Sequence, residues 1–198
     1  MEFLHAVIVL SNFVIIPAIT YGSQLALGAL GVTLVYGILR FSNFAHGDTM
    51  AFGTMVAILF TWWFQSIGVS IAPLPTALLA LPIAIVLTAL LLLGTDRVVL
   101  RFYRKQKSAP VILLIVSLGI MFVYNGLVRF IIGVGDQRFS DGSRFIISAR
   151  DFKKLTGLDE GLAIKTTQVI TVITAVMVVA LLFWFLNRTR TGKSMRAF

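Results

Sequence analysis

A chain of 198 residues that is 58% hydrophobic and only 13% charged, with a mean hydropathy of +0.95, carries too much apolar surface for one water-soluble domain. Its net charge of +9 lies beside apolar runs rather than on one basic face, which argues against nucleic acid and for a lipid bilayer. Cysteine is absent, so disulfides, thiolate catalysis and cysteine-ligated metals are excluded.

The first apolar run, 4–20, is not a typical signal peptide, because Glu2 and His5 stand at its start and no Lys or Arg precedes it. It is short and holds Asn12 and Pro17, so two readings stay open: a span of its own, or an interfacial extension of the next helix. Segments 22–39, 49–66, 74–95, 109–131 and 165–186 each approach the 20 or so apolar residues that a spanning helix needs. They lack the alternation of a membrane β-barrel, and backbone groups in hydrocarbon must be satisfied internally. The expected fold is therefore all-α, a polytopic bundle of five or six spans forming a single membrane domain over 1–198.

In the helix 21–39, Ala29, Thr33 and Gly37 form a stripe of small residues at four-residue spacing, suited to close packing against another helix. FSNFAHGD follows at 41–48. As a solvated loop, its Asn43, Gly47 and Asp48 are ordinary turn residues, with Asp48 capping the next helix. As a break in a membrane helix, the same residues would meet a polar substrate at a costly depth, giving Asn43, His46, Gly47 and Asp48 a pathway or gating role. Trp62 and Trp63 read as interface anchors.

Orientation follows from charge. The connection 96–108 holds five bases and one acid, net +4, and the tail 187–198 holds four bases and no acid, also +4. The connection 135–163 balances five bases with five acids. Two spans separate the basic segments, so both are expected on the cytoplasmic side and 135–163 outside. That outer connection is expected to form an extramembrane cap, with a turn at Asp141-Gly142 and a short helix from a Ser148–Asp151 capping box to Gly157. Arg129 is expected to snorkel from span 109–131, and Asn125 to bond between helices.

Enzyme readings lack partners. His46 and Asp48 have no nucleophile at a meaningful spacing, and two histidines are too few for a metal site. Gly192-Lys193-Ser194 resembles the end of a phosphate-binding loop, but Asn187 stands where the motif needs glycine. No cofactor is expected, and ATP, if used, would be bound by another chain.

The run LVYGILRFSNFAHGDTMAFGTMVA at 34–57 resembles the membrane subunits of ATP-driven branched-chain amino acid importers. The resemblance lies in Tyr36, Gly37 and Ile38 followed by Asn43, Phe44, Ala45, His46, Gly47 and Asp48. RKQKSAPVILLIVSLGIMFVYNGL resembles that family's basic loop and next helix, and NRTRTGKSMRAF the start of its ATPase-coupling segment. The resemblance implies a multi-pass permease in a bacterial inner membrane. It also implies a second related permease, two cytoplasmic ATP-binding subunits and a periplasmic substrate-binding protein as partners. Arg188, Arg190, Gly192 and Arg196 become candidate ATPase contacts. Family members continue beyond the coupling segment, so the chain is expected to be truncated or completed elsewhere. Three alternatives stay open: a urea or short-amide importer, a non-transporting membrane subunit, and a stand-alone channel or secondary transporter. The near absence of charge within the spans favours an externally powered permease over the last of these.

Overall fold

A computed structural model describes residues 2–69, 75–137, 145–156, 161–190 and 192–193. The described residues are mostly helical, in the order α1 (Glu2–Leu10), α2 (Ile16–Leu39), α3 (His46–Ser66), α4 (Ala77–Thr95), α5 (Arg101–Lys105), α6 (Pro110–Ile132), α7 (Ala149–Thr156) and α8 (Thr166–Arg188). Two short strands, β1 (Phe145–Ile147) and β2 (Ile164–Lys165), pair antiparallel. Among the described residues, four helical runs are long and apolar enough to cross a membrane: His5–Ile38, Ala77–Lys105, Pro110–Ile132 and Thr166–Arg188. The fold is an all-α polytopic membrane bundle. The fifth long helix, α3, has 21 residues and would reach about 31 Å, with His46, Asp48, Thr49, Thr54, Thr61, Gln65 and Ser66 among its side chains.

The run 4–20 is not a separate helix. It continues into α2 through a π-helical segment, Ser11–Ile15, so its role as an extension of the next helix is the one adopted. Pro17 is tolerated because it follows directly on a segment whose hydrogen-bond register has already shifted.

Two compact units divide the chain. In Gly31–Asp141, α3 packs against α4 and α6. One apolar cluster joins Phe41 and Ala45 to Leu100, Leu113, Ile120 and Tyr124, and a second joins Met55, Val56 and Ala84. Close approach of α3 to α4 relies on Gly53, where an added Cβ would lie 3.1 Å from Thr88 Oγ1. Buried hydroxyls are satisfied by their own helices: Thr49 donates to the Ala45 carbonyl and Thr61 to that of Ala57, each at 2.7 Å. Such self-satisfied small residues suit helix contacts in lipid, where a free donor would be costly. Pro110 opens α6 after the extended Ala109, and Gly133, at φ 91°, ends it.

The other unit contains Met1–Leu30 and Gly142–Phe198. Here Asn12, within the π-helical segment, donates to the Gly161 carbonyl at 2.8 Å and accepts from the Ala163 N–H at 3.0 Å. Gly161 passes so close to Ala149 that a Cβ would collide with its backbone. The expected short helix is present as α7, with the Phe152 N–H on the Ser148 carbonyl at 3.1 Å. The turn at 141–142, the Asp151 side chain and the stop at Gly157 lie outside the described residues.

Candidate functional site

The chain breaks between α2 and α3 because Arg40 turns into the left-handed region at φ 56° while its N–H still bonds the Tyr36 carbonyl at 2.9 Å. That conformation is costly for a side chain bearing a Cβ, by roughly 1 kcal/mol, and persists because the following residues are held firmly. Phe41 and Ala45 are buried in the apolar cluster, with 3% and 2% of their surface exposed. Between them, the Phe44 N–H donates to Ser117 Oγ of α6 at 3.2 Å. Ser117 is fully buried and also donates to the Leu114 carbonyl at 2.7 Å. A backbone donor freed by the helix break is thus satisfied by a neighbouring span, sparing about 1–3 kcal/mol.

Asn43 organises the restart of the helix. Its Oδ1 accepts from the Ala45 N–H at 3.1 Å, and its carbonyl accepts from the His46 N–H at 3.3 Å. His46 begins α3 and lies over Gly31 of α2, where an added Cβ would stand 2.6 Å from Nε2. Gly47 is exposed, with nothing within 4 Å of the space a Cβ would fill. Asp48 does not cap α3: the N-cap position is Ala45 and makes no side-chain cap. Its carboxylate instead crosses to α6, where Asn125 Nδ2 donates to Oδ1 at 2.9 Å.

These contacts place the break along the length of α6. Ser117 is the eighth and Asn125 the sixteenth of the 23 residues in Pro110–Ile132. At 1.5 Å per residue, Asn125 stands about 22 Å from the start of that span and about 10 Å from its end. The polar stretch therefore runs beside the middle of a helix long and apolar enough to cross the membrane. Asp48 is half-buried there, in the first turn of α3, where the helix N-terminus favours a carboxylate.

No local pattern singles out Ser117 or Gly31, whereas Asn125 makes the bond between helices expected of it, with Asp48 as its partner. Gly31 sits two residues from Ala29, about 200° round α2 from it. The glycine that admits a close neighbour within this chain is thus on the face opposite the small-residue stripe. Ala29, Thr33 and Gly37 are all exposed, and Gly37 has open space beside it. Arg129 is exposed near the end of α6, and Trp63 stacks edge-on against Phe60 at 6.0 Å near the end of α3. At the other terminus, Arg188 ends α8 and Arg190 is exposed. The Gly192 N–H bonds Thr189 Oγ1 at 3.0 Å, and its backbone folds against the Phe185 carbonyl too closely for a Cβ. Arg196 lies outside the described residues.

An apolar groove of about 210 Å³ lies between Ile16, Ile19 and Thr20 of α2 and Val169, Val172 and Ile173 of α8. It offers no convergent polar groups of the kind that fix a polar solute. Among the described residues, no group of three or more His, Asp or Glu side chains could hold a metal.

Comparison with known proteins gives one consistent family. The chain is 27% identical over 184 residues to the high-affinity branched-chain amino acid transport system permease protein BraD of Pseudomonas aeruginosa, covering 92% of this chain and 57% of that protein. It is 27% identical over 182 residues to LivH, the permease protein of the same kind of system in Salmonella typhimurium, covering 90% and 56%. A shorter match of 51 residues to LivH of Escherichia coli K12 is 39% identical and covers 26% of this chain and 17% of that protein. The chain thus spans a little over half the length of the first two relatives. No solved structure matches it. The family model described as the branched-chain amino acid transport system permease component matches residues 14–198, and the chain belongs to that family.

Proposed function

We propose that this chain is a membrane permease subunit of an ATP-driven importer for branched-chain amino acids, and that Asn43, His46, Gly47 and Asp48 line or gate its translocation pathway. The observation that carries the pathway assignment is the register of the break: Phe44 beside Ser117 and Asp48 beside Asn125, along the middle of a candidate span. Polar groups held at that depth are characteristic of substrate routes.

Catalysis of ATP hydrolysis belongs, on this reading, to two cytoplasmic partner subunits. A second related permease would complete the route, and a periplasmic binding protein would deliver the amino acid. The basic segments 96–108 and 187–198 face the cytoplasm of a bacterial inner membrane. Supporting this, each of the two segments carries a net charge of +4, as the positive-inside rule asks of cytoplasmic connections. The small-residue stripe Ala29, Thr33 and Gly37, exposed on α2, would receive a helix of the second permease. Arg188, Arg190, Gly192 and Arg196 would contact an ATPase.

The test is uptake of labelled leucine by cells lacking this transporter, supplied with the chain and its neighbouring transporter subunits. Uptake should be restored, competed by isoleucine and unaffected by urea. Asn43→Ala and His46→Ala should each lower it at least fivefold. Competition by urea rather than isoleucine would refute the substrate assignment, and undiminished uptake in both variants would refute the pathway assignment.

A further inference from the structure

We propose that the Asp48 carboxylate is the group that receives the ammonium of a zwitterionic amino acid in transit, with Asn125 as the positioning residue that aims it; this rests on the importer reading above. Among the described residues, Asp48 has a single polar side-chain partner, the carboxamide of Asn125 at 2.9 Å. A neutral amide can orient a carboxylate but cannot balance its charge. No Lys, Arg or His nitrogen of a described residue comes within 4.0 Å of it, and the one ion pair among those residues, Arg104 to Asp96 at 2.5 Å, belongs to the exposed basic connection. The two acids thus contrast: Asp96 has its cation, whereas Asp48 has none within 4.0 Å among the described residues.

A charge in that setting is stabilised when a cation arrives, and the attraction is stronger there than in water. Asn125 occupies only Oδ1, so Oδ2 keeps its acceptor capacity. Asp48 is half-buried, and beside it Gly47 is exposed with open space where a side chain would otherwise stand. The cargo proposed for this family has one cationic group, its α-ammonium, whose three N–H donors suit a carboxylate acceptor. The same group is common to all amino acids with neutral side chains, so Asp48 would select for the zwitterion, and the apolar surroundings for its side chain.

The deciding experiment measures labelled leucine moved per ATP hydrolysed by the complete importer reconstituted in vesicles, with its binding protein present. Asp48→Asn keeps the shape and the bond to Asn125 while removing the charge. It should lower leucine per ATP at least tenfold, and Asp48→Glu should recover to within about threefold of the parent. Parent-like coupling in Asp48→Asn, or Asp48→Glu no better than Asp48→Asn, would overturn the proposal while leaving the importer reading intact. A parent complex that moves no leucine would overturn both. If Asp48→Asn fails to assemble, the exchanged pair Asp48→Asn with Asn125→Asp keeps one carboxylate and one carboxamide across the same contact. Coupling still tenfold down in that variant supports the proposal. Full recovery would assign the pair to packing alone and overturn it.

Discussion

Gly31→Ala is expected to destabilise the folded protein by about 1–2 kcal/mol, although alanine is the better helix former. The propensity gain is only about 0.5–1 kcal/mol. Against it stands a methyl group 2.6 Å from Nε2 and 2.7 Å from Cε1 of His46, which must swing out of its place over α2. Overpacking of this kind costs about 1–3 kcal/mol and exceeds the gain. The cause can be isolated by a double-mutant cycle followed through thermal unfolding in detergent. In a His46→Ala background the penalty should vanish, and Gly31→Ala should become neutral or slightly stabilising. An equal penalty in both backgrounds would show that the His46–Gly31 contact is not what makes glycine necessary.

Gly161→Ala should have the larger structural effect, because its new methyl would meet backbone rather than a movable ring. The carbonyl carbon and Cα of Ala149 would both stand 2.8 Å away. Relief requires the 161–163 segment to move, which breaks both bonds to Asn12. Each of those bonds protects a part-buried backbone group worth about 1–3 kcal/mol if left unpaired. Protease cutting within 145–163 should rise at least tenfold, while cutting within 101–109 stays at its parental rate. Asn12→Leu, which removes the same two bonds without the collision, should raise it about threefold. Unchanged cutting in both variants would mean that the latch does not hold this connection in place.

What could be read in advance follows from the range of the interactions. Hydropathy places span 109–131 within one residue of α6, and local polar spacing anticipates the helix after Ser148. Both are short-range signals. Asn12 and Pro17 leave two readings of 4–20 open for the same reason: locally they interrupt an apolar run, yet the helix runs on through the π-helical segment and past Pro17. Asn12 meets Gly161 and Ala163 across 149 and 151 residues, and Asp48 meets Asn125 across 77, separations that no pattern in a single chain encodes. The motif 43–48 was legible as a group of polar residues at a junction. Its packing beside α6 depended on Ser117 and Asn125, which look unremarkable in sequence.

The depth and wetness of that junction are the centre of the account, and a single cysteine can report both, since the natural chain has none. Gly47→Cys fits the open space beside the break. In the assembled importer it should react with a hydrophilic, membrane-impermeant thiol reagent, and leucine with ATP should change the rate at least threefold as the pathway cycles. A cysteine placed at the exposed Lys105 should react at a constant rate. If Gly47→Cys stays unreactive in every state while Lys105→Cys reacts, residues 43–48 face lipid or packed protein and do not line a route for substrate.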